Sequence, residues 1–149
     1  FVPINHLALP RMANSTETEH AWFARVAPDL LEVRLRAGIR IDMACIAGIM
    51  RERVRLCGSD PLCVLVLVPT DAELDIAVIG MDHYRVNESS EGLRAVALVS
   101  EALMMETMAR LYAAYFPPMF RMEVFNREAE AREWMDEQLA ELRRAGQKA

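Results

Sequence analysis

The 149-residue sequence has no long apolar run, little cysteine or histidine, and no excess of positive charge. Each absence removes a class of protein. The apolar stretch Cys63-Val-Leu-Val-Leu-Val68 has the length of a strand and falls far short of the roughly 20 residues of a membrane span. A formal net charge of −5 gives no electrostatic footprint for nucleic acid or an anionic membrane. The cysteines Cys45, Cys57 and Cys63 are odd in number and widely spaced, which excludes a disulfide framework and points to buried, reduced thiols in a cytoplasmic protein. His6, His20 and His83 show no ligand spacing and the cysteines form no CxxC, so neither metal nor cofactor is expected. No nucleophile elbow is written in the chain. FVPINHLALP carries Pro3, His6 and Pro10 without a basic flank, and is not expected to serve as a secretory leader.

What is present is an ordinary globular composition, 53% hydrophobic and 26% charged, with length for one domain and a real core. Residues 1–18, ending in NSTET, are expected to form a poorly ordered arm before a single domain over 19–145. HAWFARVA (20–27) and LLEVRLRAG (30–38) flank the turn pair Pro28–Asp29 and predict a hairpin, the second strand alternating Leu31, Val33, Leu35 against Glu32, Arg34, Arg36. Asp42 is placed to cap a helix with Ile46, Ile49, Met50 and Val54 at helical spacing, and Gly58 to stop it. CVLVLV has no polar face, as expected of a central strand covered on both sides. Thr70-Asp-Ala-Glu73 has the form of a capping box before a second stripe of Leu74, Ala77, Val78, Met81 and Tyr84, although LDIAVIG also suits a strand. RAVALV (94–99) predicts another buried strand. Ser100 then starts a helix with Leu103, Thr107, Met108, Leu111 and Tyr115 on one side, ended by Pro117–Pro118. MFRMEVF alternates as a strand, and Asn126 caps a last helix whose apolar face is Ala131, Trp134, Met135, Gln138, Leu139 and Leu142. The order is ββαβαβαβα: an α/β fold with a five-stranded mixed sheet flanked by four helices.

That order, and three segments in particular, resemble the STAS domains and the small bacterial SpoIIAA-like proteins of uncharacterised function. The segments are FRMEVFNREAEAREWMDEQL, LLEVRLRAGIRIDMACI and LRAVALVSEALMMETMARLY, within residues 20–142. The resemblance implies the SpoIIAA-like (STAS) fold. It also implies a place to look for a phosphoswitch, since regulated STAS domains carry a Ser or Thr at the start of the helix after the third strand. Here that place is Pro69-Thr70-Asp71-Ala72, where Thr70 is the one hydroxyl. Thr70 is thus the candidate phosphoacceptor, against the plainer expectation of a helix cap, because Asp71 and Glu73 would repel a dianion. Asn87-Glu-Ser-Ser-Glu-Gly92 has similar letters one helix later. A strand follows it, not a helix, so it is expected to be a solvated link.

Glu and Arg three or four apart, such as Glu128 with Arg132, suit solvated helix faces and not a catalytic pair. The ten methionines are less ordinary: Met104, Met105, Met108, Met119 and Met122 cluster on the third long helix and the strand after it. They suit core filling or a pliable interface. Two functions follow as expectations. One is a non-enzymatic regulatory or scaffold protein that works through protein contacts, as a homodimer or with a regulatory partner. The other is a small-molecule or lipid binder of the Sec14 type, with a methionine-lined pocket for an apolar ligand.

Overall fold

The computed structural model describes residues 15–147. Strands β1 (Ser15–Glu17), β2 (Ala21–Ala27), β3 (Leu30–Leu35), β4 (Arg40–Ile41), β5 (Leu62–Val68), β6 (Glu73–Leu74), β7 (Leu93–Ser100) and β8 (Arg121–Phe125) alternate with helices α1 (Met43–Cys57), α2 (His83–Val86), α3 (Leu103–Tyr115) and α4 (Glu128–Gln147). The main sheet has six strands in the order β1-β2-β3-β5-β7-β8. The first two pairings are antiparallel and the rest parallel, as the opening hairpin and the later strand–helix–strand units require. The expected strand and helix order holds, with two additions. Ser15–Glu17, the described end of the expected N-terminal arm, pairs with β2; residues 1–14 of that arm lie outside the described residues. A two-stranded parallel ladder joins β4 to β6.

α1, α2 and α3 cover one face of the sheet and α4 the other. Strand alternation divides β5 between them: Leu62, Val64, Val66 and Val68 point to the α1 side, Cys63, Leu65 and Leu67 to α4. β7 is divided the same way after an irregularity in register around Arg94. The α4 layer uses the face its sequence offers, with Ala131, Met135, Gln138 and Leu139 buried and Trp134 packed at 5.8 Å from the Phe125 ring. Arg132 ties this helix to β3 through Glu32, at 2.9 and 3.3 Å.

Local chemistry explains most boundaries. The Asp42 carboxylate accepts the Cys45 N–H at 2.8 Å, and Gly58, at φ 57°, closes α1 by donating to the Val54 carbonyl at 2.7 Å. Residues 70–86 depart from the expected single helix. Glu73 and Asp75 donate their N–H groups to Ile39 and Ile41, which commits 73–74 to a ladder. A 3₁₀ turn over Ile76–Gly80 and the short α2 follow, capped by Asp75 and Asp82. Thr70 therefore caps nothing: it is exposed in a turn closed by Ala72 N–H on the Pro69 carbonyl, and the Asp71 carboxylate accepts instead from Gly38 at 2.8 Å. Sheet pairing overrides the helical spacing here, as tertiary context does with a weak propensity broken by Gly80. Ser100 does not cap α3 directly either; its hydroxyl accepts from Ala102, which holds the N-cap position without a side-chain bond.

Candidate functional site

Between the sheet and the helices of its first face lies a cavity of about 190 Å³. The strands contribute Val66, Val68 and Leu98, α1 contributes Ile46, Ile49 and Met50, and α3 contributes Met105, Met108, Ala109 and Tyr112. The expected apolar face of α3 is corrected by this arrangement. Leu103, Leu111 and Tyr115 are exposed at 76, 39 and 69%, while Met105, Met108, Ala109 and Tyr112 turn inward. α3 is apolar nearly all round, so its spacing offers two stripes, and the sheet takes the one with the methionines. The methionines divide accordingly: Met105, Met108 and Met122 line the cavity, joined by Met50, whereas Met104 and Met119 stand outside at 77 and 100% exposure.

The segment that departs from the predicted helix forms the cover. Val78 and Ile79 of the 3₁₀ turn close one side of the cavity, and α2 brings His83 and Tyr84 to it. The cover is tied down by polar bonds. His83 donates through Nε2 to the Val78 carbonyl at 2.7 Å, and its backbone N–H donates to the Tyr112 hydroxyl at 2.8 Å. Asp75 accepts from Ala77 N–H at 3.0 Å and pairs with Arg40 at 3.2 Å. Tyr84 meets Phe120 edge-on at 4.8 Å. Burial pushes the Tyr84 phenol up to about 12, with the neighbouring Tyr112 adding to the shift and Arg53 opposing it. Burial also raises Tyr112. Both phenols are neutral at pH 7, and the walls they complete are apolar.

Arg53 stands one turn beyond Ile46, Ile49 and Met50 on the same face of α1 and is 5% exposed. The expected stripe ended on Val54, which is 41% exposed; the inward position belongs to Arg53. Its Nη2 donates to the Ser89 carbonyl, while Nη1 finds no acceptor among the described residues. Burial lowers its pKa, and the groups that act on its charge are Cys57 and Tyr84, each held neutral by burial. A guanidinium in apolar surroundings loses several kcal/mol of solvation, and one bond to a neutral carbonyl returns about 1.5–3 kcal/mol. Arg53 lies away from the polar helix faces on which charged side chains are expected to work. The available signal was a charge standing on the apolar stripe.

The Asn87–Gly92 link is exposed at Asn87, Glu88, Ser90 and Glu91, as expected of a solvated connection, and departs from that at Ser89. Ser89 is 2% exposed, its hydroxyl donates to the Met50 sulfur at 3.1 Å, and its carbonyl receives Arg53. Glu88, at φ 49°, is the one non-glycine residue in the left-handed region among the described residues, and it turns Ser89 inward. Ser90 is exposed. A second hollow of about 310 Å³ lies outside this link, lined by Arg51, Val54, Asn87, Glu88 and Ser89, and Met50 is a wall of both hollows.

A family model described as a domain of unknown function (DUF7793) matches residues 25–139. No curated protein matches the sequence. Among solved structures, the chain resembles an uncharacterized protein of the DUF3478 family from Shewanella loihica PV-4, which has a SpoIIAA-like fold. The TM-score is 0.50 at 14% identity, over 80% of this chain and 98% of that one. At that identity the likeness concerns fold, and the fold of this chain is SpoIIAA-like. No helix among the described residues is long and apolar enough to cross a membrane.

Proposed function

The chain belongs to the DUF7793 family, and we propose that it is a non-enzymatic binding module for a small apolar molecule. The observation that carries this reading is the methionine-lined cavity of about 190 Å³. It exceeds the ~150 Å³ of an engineered apolar cavity that takes up benzene and falls below the ~300–1,000 Å³ of drug-sized sites. The ligand class is therefore a body of about one ring or a short branched chain, held by burial of apolar surface. Met50, Met105, Met108 and Met122 suit a wall that adapts to its contents. The His83 ring and the Tyr112 hydroxyl spend their hydrogen bonds on the cover, which favours holding over reacting. Native mass spectrometry of freshly purified protein, together with methyl NMR under xenon, tests the reading. Shifts confined to the lining residues are expected. Their absence, with no co-purified ligand, overturns it. Ala109→Leu, which fills the cavity from α3, is expected to abolish the xenon shifts while the protein remains folded.

A second reading is a regulatory module that acts through protein contacts as a homodimer. It is favoured by the exposed apolar residues Leu103, Met104, Leu111 and Tyr115 on α3, with Met119 just beyond. Light scattering decides it: a mass of one chain at high concentration removes the dimer.

A further inference from the structure

The cavity walls carry no Asp, Glu, Lys or Arg side chain, and they hold a hydroxyl that the fold leaves unused. Tyr84, on α2, lines the cavity, and its ring is set edge-on against Phe120 at 4.8 Å. Its backbone is held as well, since the Tyr84 carbonyl accepts the Ser89 N–H at 3.0 Å. The phenol oxygen bonds to nothing among the described residues; Tyr112 and Arg53 act on it without a hydrogen bond. That oxygen is also not sealed in. Arg53 Nη1 is the one unbonded side-chain polar atom without open surface among the described residues, so the Tyr84 oxygen keeps some. Burial pushes the phenol up to about 12, which sets the oxygen deep in the protein. The surface it keeps therefore belongs to the cavity that Tyr84 lines and not to the exterior.

From this open hydroxyl among apolar walls we infer that the ligand is a small neutral carbonyl compound of the ketone class. Its oxygen accepts the Tyr84 hydroxyl and its apolar body packs against the methionines. The inference rests on the binding reading above and adds to it the polar group that the ligand carries. A buried hydroxyl without a partner costs free energy, and an acceptor brought by a ligand removes that cost. The positive charge of Arg53 favours loss of the phenol proton, which makes the hydroxyl a stronger donor. A charged ligand would stand unpaired among these walls. An alcohol would accept from Tyr84 in the same way but bring a hydrogen of its own, and the Val78 carbonyl and the Tyr112 oxygen already accept from His83. A ketone brings acceptor capacity alone.

The test compares acetophenone, α-methylstyrene (a methylene in place of the carbonyl oxygen) and xenon by methyl NMR and calorimetry. Tyr84→Phe, which removes one oxygen and keeps the ring, is expected to weaken acetophenone about fivefold, the range of one neutral hydrogen bond. It is expected to leave α-methylstyrene within about twofold, because that ligand has no acceptor to lose. The infrared carbonyl stretch of acetophenone bound to excess wild-type protein is expected below its position in an alkane, and at the alkane position in Tyr84→Phe. The wild-type band needs no variant to fold. A wild-type band at the alkane position overturns the inference, and so does absence of acetophenone binding. Equal weakening of both ligands in Tyr84→Phe assigns the residue to packing and overturns it too. In each of these cases xenon still shifts the lining residues and the cavity reading stands. Failure of xenon to perturb them overturns the binding reading itself.

Discussion

Arg53 is a buried cation held by a single hydrogen bond to a neutral carbonyl. Replacement of a buried, poorly paired ion by an apolar side chain of similar volume is commonly neutral or stabilising. Arg53→Met is therefore expected to change unfolding free energy in urea by no more than about 1 kcal/mol, or to raise it, with the orphaned Ser89 carbonyl as the main loss. A loss beyond about 3 kcal/mol would mark Arg53 as a structural keystone. The thiols make a complementary case at the same scale. Cys45 and Cys63 are pushed up to about 11, and Cys57 is also raised, in each case first by burial. All three are expected to resist a disulfide reagent at pH 8 in the folded protein and to react when urea is added. Rapid labelling of the native state would show a looser core than the structure describes. The burial of Ser89 was not legible in the sequence because it is polar and its carbonyl meets Arg53 from 36 positions away in the chain.

Among the elements, legibility followed how many solutions a segment's pattern allowed. α1 was readable because Asp42 and Gly58 supply both ends, and α4 because its apolar residues occupy a single face. β5 was readable because it lacks a polar face altogether. α3 was half readable: its existence follows from composition, its orientation does not, since both of its stripes are apolar. Residues 70–86 were least readable, because the β4–β6 ladder that shapes them pairs positions 33 apart. The cavity fell in these last two places, which is why its methionines were singled out and its location was not. The junction before β7 gives a sharp test of one element. Gly92 sits at φ 85°, and a Cβ there would approach the Asp60 and Ser59 carbonyl oxygens to 2.6 and 2.7 Å. Gly92→Ala is expected to lower stability by more than about 2 kcal/mol, from left-handed strain and backbone collision together. Thermal melting within a degree of wild type would contradict this local geometry.

At the scale of the whole molecule, the layers are held by contacts far apart in sequence. The Asp29 carboxylate, in the β2–β3 turn, accepts from Arg143 near the end of α4 at 2.8 and 2.9 Å, and the Asp29 carbonyl accepts from Cys63 of β5. The Arg143 bond holds the Asp29 carboxyl below its usual range, against an opposing effect of burial. A depressed carboxylate stabilises the fold above its unfolded pKa of about 4, and that contribution is lost as pH falls through the lower folded value. Asp29→Asn is thus expected to be less stable than wild type at pH 7, with the gap closing below about pH 4 in urea titrations. Salt should narrow it at neutral pH, because Arg143 is solvent-exposed. A gap that persists unchanged at pH 2 would assign the effect to packing instead.

The division of β5 between two faces has a further consequence. Along 63–68, the parity of the residue number decides which half of the protein a substitution speaks to. Val66 borders the cavity, while Leu65 and Leu67 on either side of it belong to the α4 layer. Neighbours in the chain thus belong to different layers, so substitutions at odd positions are expected to act on the α4 packing and those at even positions on the cavity face, independently, along a single strand.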